Sequence, residues 1–421
     1  MTRRLSLFLP WFVWLIPVLF FGFQFILRLF PGNVQNELMQ HFHVDATAFG
    51  IFASAYYFGY AGMQIPVAIL IEKIGPKLMI AGSALLCALA CWIMVWADSW
   101  PLAIFSRFLI GVGSVVGFLG TTKIIHDWFA SEHHAKMIGL SFSLGLIGAV
   151  YGGKPINLLV QETNWQEVLL LLGGVAGIIA VLAVLFITIP KKSASSIEVQ
   201  ASPKKHALKQ DLIMLFSNKS LLILAIANFL MVGSLEGFAD VWGTNYLAMT
   251  LNIEKSEASS LTSYIFIGMI VGAPLLSYVA DKSHSHVKMT GLCGLIMAIL
   301  MGSLILFFES FNVLMVKIVL FTVGMLSTYQ VLVFVVGERL VPVYLSNIAI
   351  ATLNCINMFG GSFFHTAIGL LIDFFWHGKL NANGQPVYDI AAYSNGLLII
   401  PITALLGGML VAAISKKPAS F

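Results

Sequence analysis

Ionisable side chains are scarce in this chain, and those that interrupt its long apolar runs are where chemistry can be done. Arg28 and Arg107 each stand inside such a run. A guanidinium stays charged when partly desolvated and holds a carboxylate or phosphate through two hydrogen bonds. Each arginine is therefore a candidate anion-binding residue, the alternative being that it snorkels from a helix end to the interface. Gln24 lies one turn before Arg28, and Ser114 lies seven residues after Arg107, so each shares a helical face with its arginine. Ser114 either hydrogen-bonds a ligand or only permits tight packing. Tyr56, Tyr57 and Tyr60 are placed to line the same cavity from the next run. Lys154 lies in a glycine-rich stretch that faces protein, either in the cavity or at the interface.

Glu236 and Asp240 are the acidic counterpart. Four residues apart, they share one helical face, and Gly233, Gly237 and Gly243 around them let a helix bend or unwind. A carboxylate pair so placed suits proton uptake and release, or recognition of a cation. The alternative is an ion pair with Arg28 or Lys154 that closes an outer gate. A later run carries Asn354, Asn357, His365 and Asp373 roughly along one face. The asparagines serve either a ligand or helix packing; His365 titrates near neutral pH or is simply hydrogen-bonded.

The elements that must position these groups are helices in a bilayer. The 421 residues are 59% hydrophobic and 10% charged, where a soluble domain carries about 25% charged residues. Apolar runs cover 8–30, 46–71, 76–97, 101–125, 135–160, 167–189, 219–249, 258–280, 287–308, 312–337, 344–374 and 391–415. About 20 such residues cross the hydrocarbon core, so twelve transmembrane helices are expected in an all-α integral membrane fold. The first run has no small-residue cleavage site and is read as an uncleaved helix. The one long polar stretch, 190–218, holds Lys191, Lys192, Lys204, Lys205 and Lys209. It reads as a basic cytoplasmic linker between a bundle over 1–189 and a second over 219–421.

Charge asymmetry tests this map. With the N-terminus inside, sixteen Lys and Arg fall on the cytoplasmic side: Arg3, Arg4, Lys73, Lys77, Lys136, the five linker lysines, Lys219, Lys282, Lys288, Arg339, Lys416 and Lys417. Only Lys255 and Lys379 fall opposite. The net charge of +4 therefore describes topology and gives no argument for nucleic acid. The four cysteines lie in apolar runs without metal-ligand spacing. Glycines such as Gly111, Gly113, Gly117, Gly120, Gly145, Gly148, Gly152 and Gly153 fit close helix contact.

Between the second and third runs stands Ala68-Ile-Leu-Ile-Glu72-Lys73-Ile-Gly75-Pro76-Lys77. It resembles the G-x-L-x-D-R-x-G-R-K loop signature of the major facilitator superfamily, with Glu72 for the aspartate and Lys73 for the arginine. Ser277-Tyr-Val-Ala-Asp281-Lys282 echoes it in the second half, as an internal duplication requires. Arg107-Phe-Leu-Ile-Gly111-Val-Gly113 is similar to the superfamily's R-x-x-x-G-x-G motif. Leu27-Arg28, Ala53-Ser54-Ala55-Tyr56-Tyr57-Phe58-Gly59-Tyr60 and Gln64-Ile65-Pro66 resemble the organic-anion/cation symporter branch.

The resemblance implies two pseudo-symmetric six-helix bundles, a cavity lined by the first, fourth, seventh and tenth helices, and anion-site roles for Arg28 and Arg107. It implies that Glu72, Lys73, Gly75, Lys77 and Asp281 act in conformational latching. It also implies a monomer. Proton-coupled members of the branch carry acids where this chain has Leu27 and Ser114.

The expected function is alternating-access transport of a small organic anion or zwitterion, with the proton gradient as energy source and no cofactor. Uniport or export without proton coupling is the alternative, and a transporter-like membrane sensor is the alternative of another class. HExxH, GxSxG and P-loop motifs are absent from the sequence, so an enzyme is not expected. The expected partners are a small-molecule substrate and lipid. Short loops and the lack of a targeting peptide point to a bacterial inner membrane with both termini cytoplasmic.

Overall fold

The computed structural model describes residues 2–188, 208–283, 285–382 and 384–414. Helix dominates them, as it must where backbone groups have no water to bond. The first half of the chain forms α1 (Thr2–Asn33), α2 (Gln35–Phe42), α3 (Ala46–Ile74), α4 (Pro76–Val95), α5 (Trp100–Ser114), α6 (Val116–Trp128), α7 (Ser131–Tyr151), α8 (Lys154–Glu162) and α9 (Trp165–Phe186). The second half forms α10 (Leu208–Ser217), α11 (Lys219–Met231), a π-helical segment (Ser234–Trp242), α12 (Gly243–Leu251), α13 (Lys255–Lys282) and α14 (His286–Leu306). It ends with α15 (Val313–Ser327), α16 (Tyr329–Arg339), α17 (Ser346–Phe374), α18 (Ile390–Leu397) and α19 (Ile399–Ala412). Several of these join end to end, so that α5 and α6, or α15 and α16, make one span with an internal irregularity.

Eleven segments among the described residues are long and apolar enough to cross a bilayer, rather than the expected twelve. The remaining long helix, α3, has 29 residues. Its shortfall has a physical source, since Tyr56, Tyr57, Tyr60 and Gln64 interrupt its apolar character. Large aliphatic side chains such as Ile178, Leu185, Ile299 and Leu314 are 62–69% exposed. Such a surface belongs in lipid, and the chain is an integral membrane protein.

By its contacts the chain divides into two compact units. One is Met1–Phe30 with Ala55–Gln200, the other Pro31–Ser54 with Ala201–Phe421. Of the basic segment expected as a linker over 190–218, residues 190–207 lie outside the described residues. Its end is ordered: α10 leads to Asn218, whose side chain accepts from the Leu221 N–H and caps α11.

The same packing recurs in both units. In the first α4 packs on α9, and in the second α14 packs on α19. Reciprocal glycines mark a second repeated crossing. A methyl group on Gly111 of α5 would collide with the Tyr56 carbonyl of α3, and one on Gly59 of α3 with the Phe108 carbonyl of α5. In the second unit Gly324 of α15 meets the Ile265 carbonyl of α13, and Gly268 of α13 meets that of Phe321. Lipid supplies no hydrophobic drive between helices, so backbone approach through glycine is how such crossings gain dispersion contact. Prolines Pro66 and Pro274 sit inside the corresponding helices α3 and α13.

Candidate functional site

In the first unit the site is built from the end of α1. A helical carbonyl bonds the N–H four residues on, but Leu27 faces Pro31, which has none. Arg107 of α5 supplies the missing donor: one guanidinium nitrogen bonds the Leu27 carbonyl at 2.6 Å and the other the Arg28 carbonyl at 2.7 Å. Its guanidinium carbon also lies 4.7 Å from the centroid of the Tyr56 ring. Arg107 thus ties α5 to the backbone of α1.

Arg28 projects differently. Its guanidinium lies 5.3 Å from the Tyr57 ring centroid and 5.6 Å from that of Phe25, and the residue is buried. Aromatic faces hold a guanidinium in place. Beside it the Tyr56 hydroxyl donates to Gln24 Oε1 at 2.6 Å, and Tyr60, half-buried, stacks on Tyr56 at 6.0 Å. Gln24, Arg28, Tyr56, Tyr57 and Tyr60 therefore form one polar wall on α1 and α3. Ser114 is fully buried and donates to the Ile110 carbonyl at 2.7 Å, a back-bond that bends helices at the α5–α6 joint where it stands. Lys154, half-buried, begins α8 just after the Gly152–Gly153 break. Gly148 lets α7 approach the Gly22 carbonyl of α1, so that α1 is clamped from two sides.

In the second unit Glu236 and Asp240 both lie in the π-helical segment and are 1% and 2% exposed. The helix widens there to i→i+5 bonding, a device frequent at functional sites. The ring of Phe364 on α17 covers Gly233, and the side chains of Ile368 and Phe364 cover Gly237, on either side of Glu236. His365, next on α17, is 1% exposed. Asn357, fully buried, donates to Gln330 Oε1 of α16 at 3.4 Å, and Asn354 is half-buried.

The loop motif forms a charge cluster in the first unit. Glu72 bonds Lys123 of α6 at 3.1 Å, and Lys123 also meets Asp127 at 3.3 Å. Gly75 has φ +90°, which suits glycine, and Pro76 opens α4 with the φ a helix start needs. Lys73 and Lys77 flank this turn. The echo in the second unit is a relay: Asp281 to His286 Nε2 at 2.9 Å, and His286 Nδ1 to Arg339 at 3.2 Å. Because arginine only donates, Nδ1 accepts and the Nε2–H donates to Asp281.

Sequence reasoning missed His286, Arg339 and the role of Asp373. Asp373 of α17 caps α3, accepting from the N–H of Ala46 at 3.3 Å and of Thr47 at 2.6 Å. The Thr47 and Tyr388 hydroxyls also donate to it. Burial, with the Asp373 carboxylate beside it, pushes the Tyr388 phenol above its ordinary pKa. Ala46 and Thr47 lie more than 300 residues from Asp373 along the chain, so no local pattern signals the cap.

Apolar spans recur in both units, with Arg28 and Arg107 buried in the first and Glu236 and Asp240 buried in the second. The chain belongs to the Major Facilitator Superfamily, whose family model matches residues 13–365. Curated relatives include a putative tartrate transporter of Agrobacterium vitis, 24% identical over 178 residues, 41% of this chain and 39% of that one. A hexuronate transporter of Bacillus subtilis is 25% identical over 262 residues, 59% of each chain. A choline/ethanolamine transporter of Rattus norvegicus is 22% identical over 275 residues, 62% of this chain and 50% of that one. The chain thus matches 39–59% of the length of these relatives. Among solved structures, a nucleoside transporter superposes with TM-score 0.76 at 15% identity, covering 96% of this chain and 100% of that one. A D-xylose–proton symporter gives 0.75 at 12%, covering 97% and 98%. At such identities these show the fold alone.

Proposed function

We propose that this protein is a secondary active importer of a small organic anion, a hydroxylated carboxylate in the first place, working by alternating access with proton symport. The observation that carries the reading is Arg28, buried and framed by Phe25 and Tyr57 beside Gln24, Tyr56 and Tyr60. A fixed guanidinium with hydroxyl and amide neighbours suits a carboxylate bearing hydroxyls. The tartrate and hexuronate transporters among its relatives support the same class. A zwitterion is the next substrate class. Lys154, Asn354 and Asn357 complete the proposed substrate contacts, and Glu236, Asp240 and His365 are the proposed proton-coupling or gating groups. The protein would function as a monomer of two six-helix halves in a bacterial inner membrane, with both termini cytoplasmic and residues 31–45 and 375–389 on the outer side.

A second reading, transport without proton coupling, is favoured by Leu27 and Ser114 at the places where coupled relatives of the branch carry acids. Proteoliposomes loaded with a pH-sensitive dye and held at a negative-inside potential separate the two. Uptake of tartrate, hexuronate or glucarate with internal acidification, lost in Glu236→Gln or Asp240→Asn, supports symport. Uptake without acidification overturns coupling, and uptake of choline but no carboxylate overturns the anion reading.

A further inference from the structure

On the proposed outer side, a recess of about 280 Å³ opens within the second unit. Its size is near the lower end of small-molecule sites, which run from roughly 300 Å³ upward, and suits a single sugar acid better than an oligomer. Its polar wall is made of the amides of Asn36, Gln40, Asn245, Asn381 and Gln385 with the ammonium of Lys255. No carboxylate is among the described residues that line it. Amides both donate and accept, and so match hydroxyl groups, which do the same. A single cation with no lining acid selects a negative ligand.

The amides are fixed in advance. Asn245 donates to Gln35 at 2.9 Å and Asn36 at 3.0 Å, and Asn381 donates to Gln385 at 3.1 Å. Lys255, the first residue of α13, is held from outside the recess by Glu37 of α2, at 2.9 and 3.3 Å to its two oxygens. Glu37 is 40% exposed at its side chain and Lys255 16%, so water competes for the acid more than for the ammonium.

We infer that this recess is an outer docking site for a hydroxylated carboxylate, whose carboxylate takes the Lys255 ammonium from Glu37. The exchange unties α2 from α13, so docking loosens one tie that holds residues 31–54 on the second unit. The inference rests on the reading of the substrate as an organic anion, and its test is separable from that reading.

Ala248 lines the recess. Ala248→Cys in the full chain, reconstituted in liposomes, reports occupancy through its labelling rate with a membrane-impermeant maleimide. D-glucuronate is expected to slow labelling saturably, and D-glucose, which differs by the carboxylate, is expected not to. Lys255→Met in that background should raise the half-protecting concentration about tenfold, the size of one lost charged contact. Lys255→Arg should keep protection, and Glu37→Gln should lower the concentration needed. Met249→Cys, on the same wall, repeats the measurement should Ala248→Cys fail to fold. Labelling indifferent to D-glucuronate at both positions, or protection unchanged by Lys255→Met, overturns the docking site. Uptake of the same compound is read separately. Protection without uptake leaves the recess standing and removes the substrate reading; uptake without protection does the reverse.

Discussion

The guanidinium of Arg107 bonds the carbonyl oxygen of Leu27 at 2.6 Å, in the place a backbone N–H would fill if residue 31 were not proline. Arg107→Gln then leaves the Leu27 carbonyl without a donor and removes a second bond from the Arg28 carbonyl. At about 1.5–3 kcal/mol for a hydrogen bond to a charged group, the variant should unfold several degrees below the parent in a thermal melt and lose transport with it. Arg28→Gln should part the two effects, with transport of a carboxylate falling about tenfold or more in kcat/KM and the melting temperature falling less than in Arg107→Gln. Equal loss of stability in both variants would refute the division of labour.

Gly111 and Gly62 test the crossing of α3 on α5. A methyl group at Gly111 meets the Tyr56 carbonyl, whereas one at Gly62 meets nothing within 4 Å. Gly111→Ala should cost about 1–3 kcal/mol through forced helix displacement, read as reduced thermal stability in detergent. Gly62→Ala, in α3, should be neutral or slightly stabilising.

Asp373 caps a helix far from it in sequence. Asp373→Ala removes an acceptor from the Ala46 and Thr47 N–H groups and should cost about 1–2 kcal/mol, the range for lost N-caps. Asp373→Asn, which still accepts through one oxygen, should recover about half. Hydrogen exchange at the start of α3 measures this directly, with faster exchange expected over residues 46–50 and none of the change in α4.

The Glu72–Lys123 pair is partly exposed, Glu72 by 58% of its side chain, so its stabilising value is small, about 0–1 kcal/mol. Glu72→Gln and Lys123→Met should leave the melting temperature within a degree or two. A change in transport rate in both, with recovery in the charge-swapped Glu72→Lys, Lys123→Glu double variant, is expected if the pair latches one state of the cycle. Rates unmoved by either single change would rule out the latch.

The apolar runs, the glycine crossings and the loop motif are local features, and composition and spacing reveal them. The polar wall on α1 and α3 was half legible. Arg28, Gln24, Tyr56 and Tyr60 do share a wall, but Arg107 carries the same chemistry on paper and bonds the backbone of α1. Only the position of Pro31 hints at that, and only once α1 and α5 are known to touch. The π-helical register around Glu236 and Asp240 was hidden because i→i+5 bonding leaves no distinct composition. The Asp373 cap, the Asp281–His286–Arg339 relay and the Glu37–Lys255 tie join residues distant in the chain. Nothing short of the tertiary fold brings them together.

The reciprocal glycines have a consequence for anyone recombining this chain with others of its superfamily. Gly59 with Gly111, and Gly268 with Gly324, are matched keys whose partners are bare backbone, so no side chain on the opposite helix can be recut to admit a foreign residue. A chimaera joined between residues 59 and 111, or between 268 and 324, inherits half of each key. One joined within 190–218 keeps both keys whole, and that stretch is where a shuffled library should place its seams.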